Sequence, residues 1–287
     1  MTYGRAVFGD NQFLGVNHSN QAKAAELFSR FSHPDQIIEV LGAAYDAGLR
    51  DFMFTTHERY EPVFDEIRRS NLFAGMHYTP CLPYAHKYWD RLSNDGLISA
   101  IFTPFWQANP LKIFPAAFGM LIGRTGGLVA LLTQVEILMY KGLPVRGIFL
   151  QNAATDFLLA MGRLRELEHF AYAVTRLGVE PGFITMNHPV CTQALTSEIG
   201  LERPWVCANY NAGGYRMNPS PQAVRKSFAA GKTRNMAMSV FSAQSGPADA
   251  ALGHVLDAAQ NGTVDAVLFG SSSPSNIAAN AATILSR

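Results

Sequence analysis

Along the chain, short apolar runs alternate with longer stretches in which apolar residues recur at helical spacing, the pattern of strand–helix units around a parallel sheet. Eight runs read as strands: 6–15, 51–56, 75–82, 146–151, 182–186, 205–209, 235–241 and 266–269. The stretches between them carry helix start and stop signals. In "DQIIEVLGAAYDAG", Ile37, Ile38, Leu41, Ala44 and Tyr45 form one apolar face, Pro34 opens the helix and Gly48 closes it. "YEPVFDEIRRSN" has Pro62 in its first turn and Arg68 and Arg69 in its last, the placement a helix dipole favours. "SPQAVRKSFAAG" and "GPADAALGHVLDAAQNG" each run from a proline to a glycine. Eight such alternations in 287 residues predict an α/β chain forming one (β/α)8 TIM barrel, a single domain over 1–287. Residues 97–127 break the pattern. They form an apolar insertion after the third strand, with Phe105, Trp106, Phe114 and Phe118, where a plain barrel needs one helix. The expectation is a helical subunit interface making a homo-oligomer, the other reading being a lid.

Charge narrows the partners. With 23 Lys and Arg against 22 Asp and Glu, the formal net charge is +1, which provides no general attraction to nucleic acid. The longest apolar region, 113–140, is interrupted by Arg124, Gly126, Gly127 and Glu136, so no membrane span is expected. Three widely spaced cysteines (Cys81, Cys191, Cys207) and an opening without a secretory core point to reduced thiols in the cytoplasm. The remaining partner is a small molecule.

A barrel of this kind keeps its site where the strands end, so the residues after each run are the candidates. They are Asp10, Asn11 and His18 after the first strand, His57, Glu58 and Tyr60 after the second, and His86 after the third. Asn152 follows the fourth, Asn187 and His188 the fifth, and Asn209, Asn211 and Arg216 the sixth. After the eighth, Gly270, Ser271, Ser272 and Ser273 precede Pro274, a serine-capped helix start suited to phosphate or carboxylate. Imidazoles titrate near neutrality, so His57 and His188 are placed on either side of a substrate carbon, with Glu58 and Tyr60 beside them. The amides, Asp10, His18, His86 and Arg216 would hold the substrate. The expected function is an isomerase, epimerase or lyase acting without a cofactor on a small polar, sugar-like substrate carrying a phosphate or carboxylate. A divalent metal on His18, His57, His86 or His188, with Asp10 or Glu58, is disfavoured because no H-E-x-x-H spacing is present.

Two segments resemble a known family. The tail "GPADAALGHVLDAAQNGTVDAVLFGSSSPSNIAANAATI" resembles the end of aldo-keto reductases, where a short strand, a glycine and a small polar loop lead into the helix that binds the NADP phosphate. "DQIIEVLGAAYDAGLRDFMFTTHERY" is similar to the family's second strand–helix unit, with its tyrosine matched by Tyr60. The resemblance implies the same barrel and, as an alternative function, an NADPH-dependent oxidoreductase with Tyr60 as acid and the loop from Gly270 to Ser273 on the cofactor. The family's aspartate at the end of the second strand and lysine at the end of the third are not matched by "FMFTTH" and "HYTPCLP", so the implied reductase has altered catalytic residues. A third reading is a non-catalytic barrel acting through residues 97–127.

Overall fold

The computed structural model describes residues 3–15, 21–82, 140–242 and 244–286. Eight parallel strands close into a barrel in chain order, each paired with its sequence neighbours and β8 with β1. The strands are β1 (Ala6–Phe8), β2 (Asp51–Thr55), β3 (His77–Leu82), β4 (Gly147–Leu150), β5 (Glu180–Thr185), β6 (Trp205–Asn209), β7 (Arg234–Met238) and β8 (Ala266–Phe269). Around them lie α1 (Gln21–Arg30), α2 (Pro34–Asp46), α3 (Tyr60–Ser70), α4 (Asn152–Ala160), α5 (Leu164–Thr175), α6 (His188–Gln193), α7 (Pro221–Ala229), α8 (Ala248–Gln260) and α9 (Pro274–Leu285). The expected insertion at 97–127 falls outside the described residues.

Strand alternation divides the core in two. Residues of one parity, among them Val7, Met53, Cys81, Phe149, Cys207 and Met236, fill the barrel itself. Those of the other parity, such as Phe8, Phe52, Phe54 and Tyr78, pack outward against Val40, Leu41, Val63 and Phe64 of α2 and α3. Gly182 makes room inside: a Cβ there would overlap the Phe149 ring. Gly182→Ala is therefore expected to cost about 1–3 kcal/mol by overpacking, read as a lower urea midpoint with an unchanged slope.

The amino-terminal end is plugged by polar contacts. Asp51 pairs with Arg146 Nε at 2.5 Å, with side chains 3% and 11% exposed. Arg146 also bonds His77 Nδ1 at 2.8 Å, and the Tyr3 and Thr79 hydroxyls meet at 3.0 Å. These contacts fill the amino-terminal end of the barrel.

Several strand boundaries differ from the sequence reading by a residue or two, and three differ for an identifiable reason. The first strand stops at Phe8 because the chain turns, with the Phe13 N–H bonded to the Asp10 carbonyl. The fifth starts earlier, at Glu180, whose carboxylate pairs with Arg234 at the start of β7. The seventh ends at Met238 because Ser239 takes a left-handed backbone, φ 59°. A helix, α1, follows β1 over the stretch "QAKAAELFSR".

Candidate functional site

Asp10 follows β1 at the carboxyl-terminal end of the barrel strands and is 7% exposed. Its Oδ2 accepts the Thr55 N–H at 2.7 Å and the Tyr60 hydroxyl at 3.1 Å. Burial pushes its carboxyl up to about 6 from 3.8, against the pull of the Thr55 and Tyr60 bonds, because a desolvated carboxylate is disfavoured. Thr55 lies on the inward face of β2 and its hydroxyl accepts from Gln151 Nε2 at 3.1 Å. The ends of β1, β2 and β4 are thus tied into one polar chain.

Tyr60 is fully buried. Its ring packs at the start of α3 among Phe52, Phe54 and Phe64, and only its hydroxyl reaches Asp10. Burial and the neighbouring carboxylate hold its phenol well above the ordinary value. This corrects its expected role as an acid toward substrate: the proton is already committed to Asp10.

His57 is half-buried two residues beyond Thr55, and its Nδ1 accepts the Arg59 N–H at 3.0 Å. Arg59 in turn donates to the Phe13 and Phe28 carbonyls and stacks over the Phe28 ring, fastening α1 beside the mouth. Glu58 is exposed on the turn between β2 and α3.

His188 is not in the mouth. It is fully buried outside the barrel wall, its ring 4.1 Å from that of Phe228 on α7. Nε2 donates to Asn235 Oδ1 at 3.0 Å and Nδ1 accepts from Ser227 Oγ at 2.9 Å. Asn235 itself is bonded to the Phe228 and Thr263 carbonyls on the outer face of β7. Burial pushes the imidazole down to about 4. The expected pairing of His57 and His188 across a substrate is therefore overturned: a wall of packed strand residues separates them. The sequence reading failed because His188 is the first residue of α6, where the ring turns outward between helices.

The remaining candidates divide by environment. Asn209 is on the inward face of β6, 2% exposed, with Nδ2 donating to Met186 Sδ and to the Arg216 carbonyl, each at 3.0 Å. Its Oδ1 is buried without a partner among the described residues. Asn211 is spent on its own loop, clamping the Tyr215 N–H and carbonyl, so it is a loop staple and not a substrate ligand. Asn187 caps α6 through the Val190 N–H, and Asn152 is half-buried in the first turn of α4. Asn11 and Arg216 are exposed. His18 and His86 lie outside the described residues.

After β8, Gly270 is covered by Gln12, whose amide occupies the place of a Cβ. Ser271 Oγ accepts the Ser273 N–H, and Ser273 Oγ accepts the Asn276 N–H, capping α9. Arg30 donates to the Ser272 carbonyl at 3.4 Å, bringing a cation to this loop. Gln151 follows the fourth strand among the strand-end candidates, whereas Thr55 was missed as a site residue. Strand parity was the available signal, since 53 and 55 share the inward face. Among the described residues, no three His, Cys, Asp or Glu side chains are grouped as metal ligands would be, and no helix is long and apolar enough to cross a membrane.

The chain superposes along 99% of its length on 90% of a solved structure described as "Putative aldo-keto reductase from Pseudomona aeruginosa", with a TM-score of 0.60 and 12% identity. The two share the fold of a closed eight-stranded α/β barrel. No family model and no curated protein matches the sequence. Within this barrel, Thr55 and Cys81 stand at the ends of β2 and β3. The carboxylate beside Tyr60 is that of Asp10, two residues beyond the end of β1.

Proposed function

We propose that the chain is an enzyme whose acid–base group is Asp10, acting at the barrel mouth on a small substrate that carries a carbonyl. The observation that carries this reading is the buried Asp10 carboxyl, raised to about 6 and anchored through Oδ2 by Thr55 and Tyr60. A group titrating near 6 has both its forms available around neutrality, the condition for efficient proton transfer. Gln151 orients the Thr55 hydroxyl, Tyr60 positions the carboxylate, and His57 lies at the edge of the mouth for a substrate hydroxyl or a second proton.

A second reading is nicotinamide-dependent carbonyl reduction, favoured by the loop from Gly270 to Ser273 with Arg30 beside it and by the fold it shares with the solved structure above. The loop suits a phosphate, since it opens a capped helix next to a guanidinium. Ser271, Ser272 and Arg30 would hold that phosphate, and bound NADPH would supply hydride. Asp10 would then hold the proton destined for the carbonyl oxygen, because Tyr60 is buried beneath it.

The pH profile separates the two readings. An isomerase or lyase that uses Asp10 as base gains activity as pH rises through about 6, whereas a reductase that uses it as acid loses activity over the same range. Tyr60→Phe removes a hydrogen bond to the carboxylate, worth about 1.5–3 kcal/mol. The limb is expected to move upward by about one to two pH units. An unmoved limb would remove Asp10 from the chemistry. Melting with NADPH against inorganic phosphate alone checks the cofactor: a rise only with the nucleotide supports the reductase.

A further inference from the structure

The helix α1 is held to the barrel in a different way from its neighbours. α2 buries Ile37, Val40, Leu41 and Ala44, and α9 buries Ile277, Ala281 and Ile284. Among the described side chains of α1, Leu27 alone is buried, and Phe28 is 48% exposed. Most helical stability in a protein comes from an apolar face packed on its surroundings, so α1 draws little from packing.

Polar tethers take the place of that face, and they come from both sides. Arg59, in the turn between β2 and α3, donates to the Phe28 carbonyl at 3.2 Å and to the Phe13 carbonyl at 2.6 Å. Its guanidinium lies 4.0 Å from the centre of the Phe28 ring. From the last turn of α1, Arg30 donates to the Ser272 carbonyl in the loop between β8 and α9. Underneath, α1 rests on the segment that follows Asp10: a Cβ at Gly15 would come within 2.5 Å of the Ala24 carbonyl oxygen and 2.8 Å of Phe28 Cβ. The helix is thus tied to the ends of β8 and β2, and β1 pairs with both of those strands.

Asp10 lies just beyond the end of β1 and is 7% exposed, yet a substrate has to reach its carboxyl. Two of its neighbours are parts of the core: Thr55 belongs to β2, and Tyr60 is sunk among Phe52, Phe54 and Phe64. The adjoining piece with the least buried surface is α1. We propose that α1 is a strap across the end of β1 that undocks as a unit to admit substrate to Asp10 and is drawn back by Arg59 and Arg30. This rests on the reading of Asp10 as the acid–base group. Arg59 also links the strap to His57, because its backbone N–H is bonded to His57 Nδ1. Undocking gives up one buried leucine and a few exposed contacts, so it is a local opening that leaves the barrel folded.

Hydrogen exchange and carbodiimide coupling of glycinamide to carboxyl groups, both read by mass spectrometry, test the strap on the intact chain. Amides of α1 are expected to exchange roughly 100-fold faster than those of α2 and α9. Below pH 6 the Asp10 carboxyl holds its proton, the form that a carbodiimide attacks, so access limits its labelling. Coupling at Asp10 is expected to proceed while α2 and α3 stay protected. Arg59→Ala is expected to raise both rates roughly tenfold, the scale of hydrogen bonds from a charged group. Should Arg59→Ala fail to fold, Phe28→Ala at its exposed position removes only the ring contact, for a roughly threefold rise. The proposal is overturned by α1 amides protected as long as those of α2, or by coupling at Asp10 only when α2 and α3 also exchange. Equal coupling rates in the parent and the folded variants overturn it as well. Full turnover in Asp10→Asn removes the reading of Asp10 and leaves the strap, whose rates are measured without substrate.

Discussion

Replacing Asp10 by asparagine should lower turnover by a factor of roughly 10²–10⁴ while leaving the protein folded and, above pH 6, more stable than the parent. The loss follows because an amide neither gives nor takes the proton. The gain follows from the pKa. A carboxyl raised from 3.8 to about 6 binds its proton more tightly in the fold than in the unfolded chain. Ionising it across that interval costs the fold about 3 kcal/mol, a cost complete above pH 6 and absent below about 4. Asparagine escapes that cost, and its Oδ1 can still accept from Thr55 N–H and the Tyr60 hydroxyl. The stabilisation has about 3 kcal/mol as its ceiling, because the new Nδ2 needs acceptors of its own. Urea unfolding at pH 8, beside steady-state rates, measures both. A variant that is active, or that is strongly destabilised at pH 8, would contradict the assignment.

His188→Ala should do the reverse, destabilising the chain by about 3–4 kcal/mol while the folded fraction keeps its catalytic constants. The residue is fully buried, and both ring nitrogens are bonded. Its loss leaves a cavity against Phe228 and removes a partner from Asn235 and Ser227. The acid dependence has a definite sign. An imidazole lowered from 6.5 to about 4 is protonated in the unfolded chain first, so its contribution is present above 6.5 and lost as pH falls toward 4. Asp10 acts oppositely across nearly the same range, favouring the fold as pH falls from 6 to 3.8. The two roughly cancel in the parent, each being about 3 kcal/mol in size. His188→Ala should unmask stabilisation on mild acidification, and Asp10→Asn should unmask a loss. Parallel pH profiles of the two variants would show that these groups do not carry the linkage.

The contrast between Asp10 and His188 shows how far the sequence could be read. Both follow apolar runs, both are polar, and by type the histidine is the better acid–base candidate. What separates them is which side of the barrel wall the side chain takes, which depends on where the strand stops and the next element begins. Asp10 lies two residues after Phe8, at the end of the barrel where β1 and β2 finish. His188 begins α6 and turns into the seam between helix and sheet. Tyr60 shows the same limit, since it follows "FTTHER" as expected for a site residue yet its ring is sunk among three phenylalanines.

Periodicity alone determined that this chain alternates eight strands with helices, because each element's apolar spacing is set by its own backbone geometry and needs no distant partner. The same local logic placed the helix starts at Pro34, Pro221 and Pro274. Only the tertiary structure decided which polar groups meet. A carboxylate acquires a pKa near 6 from being buried beside residues 45 and 50 positions away, and the orientation of the Asn209 amide is fixed because its nitrogen is engaged by two other segments. Desolvation and partner exhaustion are properties of the assembled barrel, and no local stretch of residues contains them.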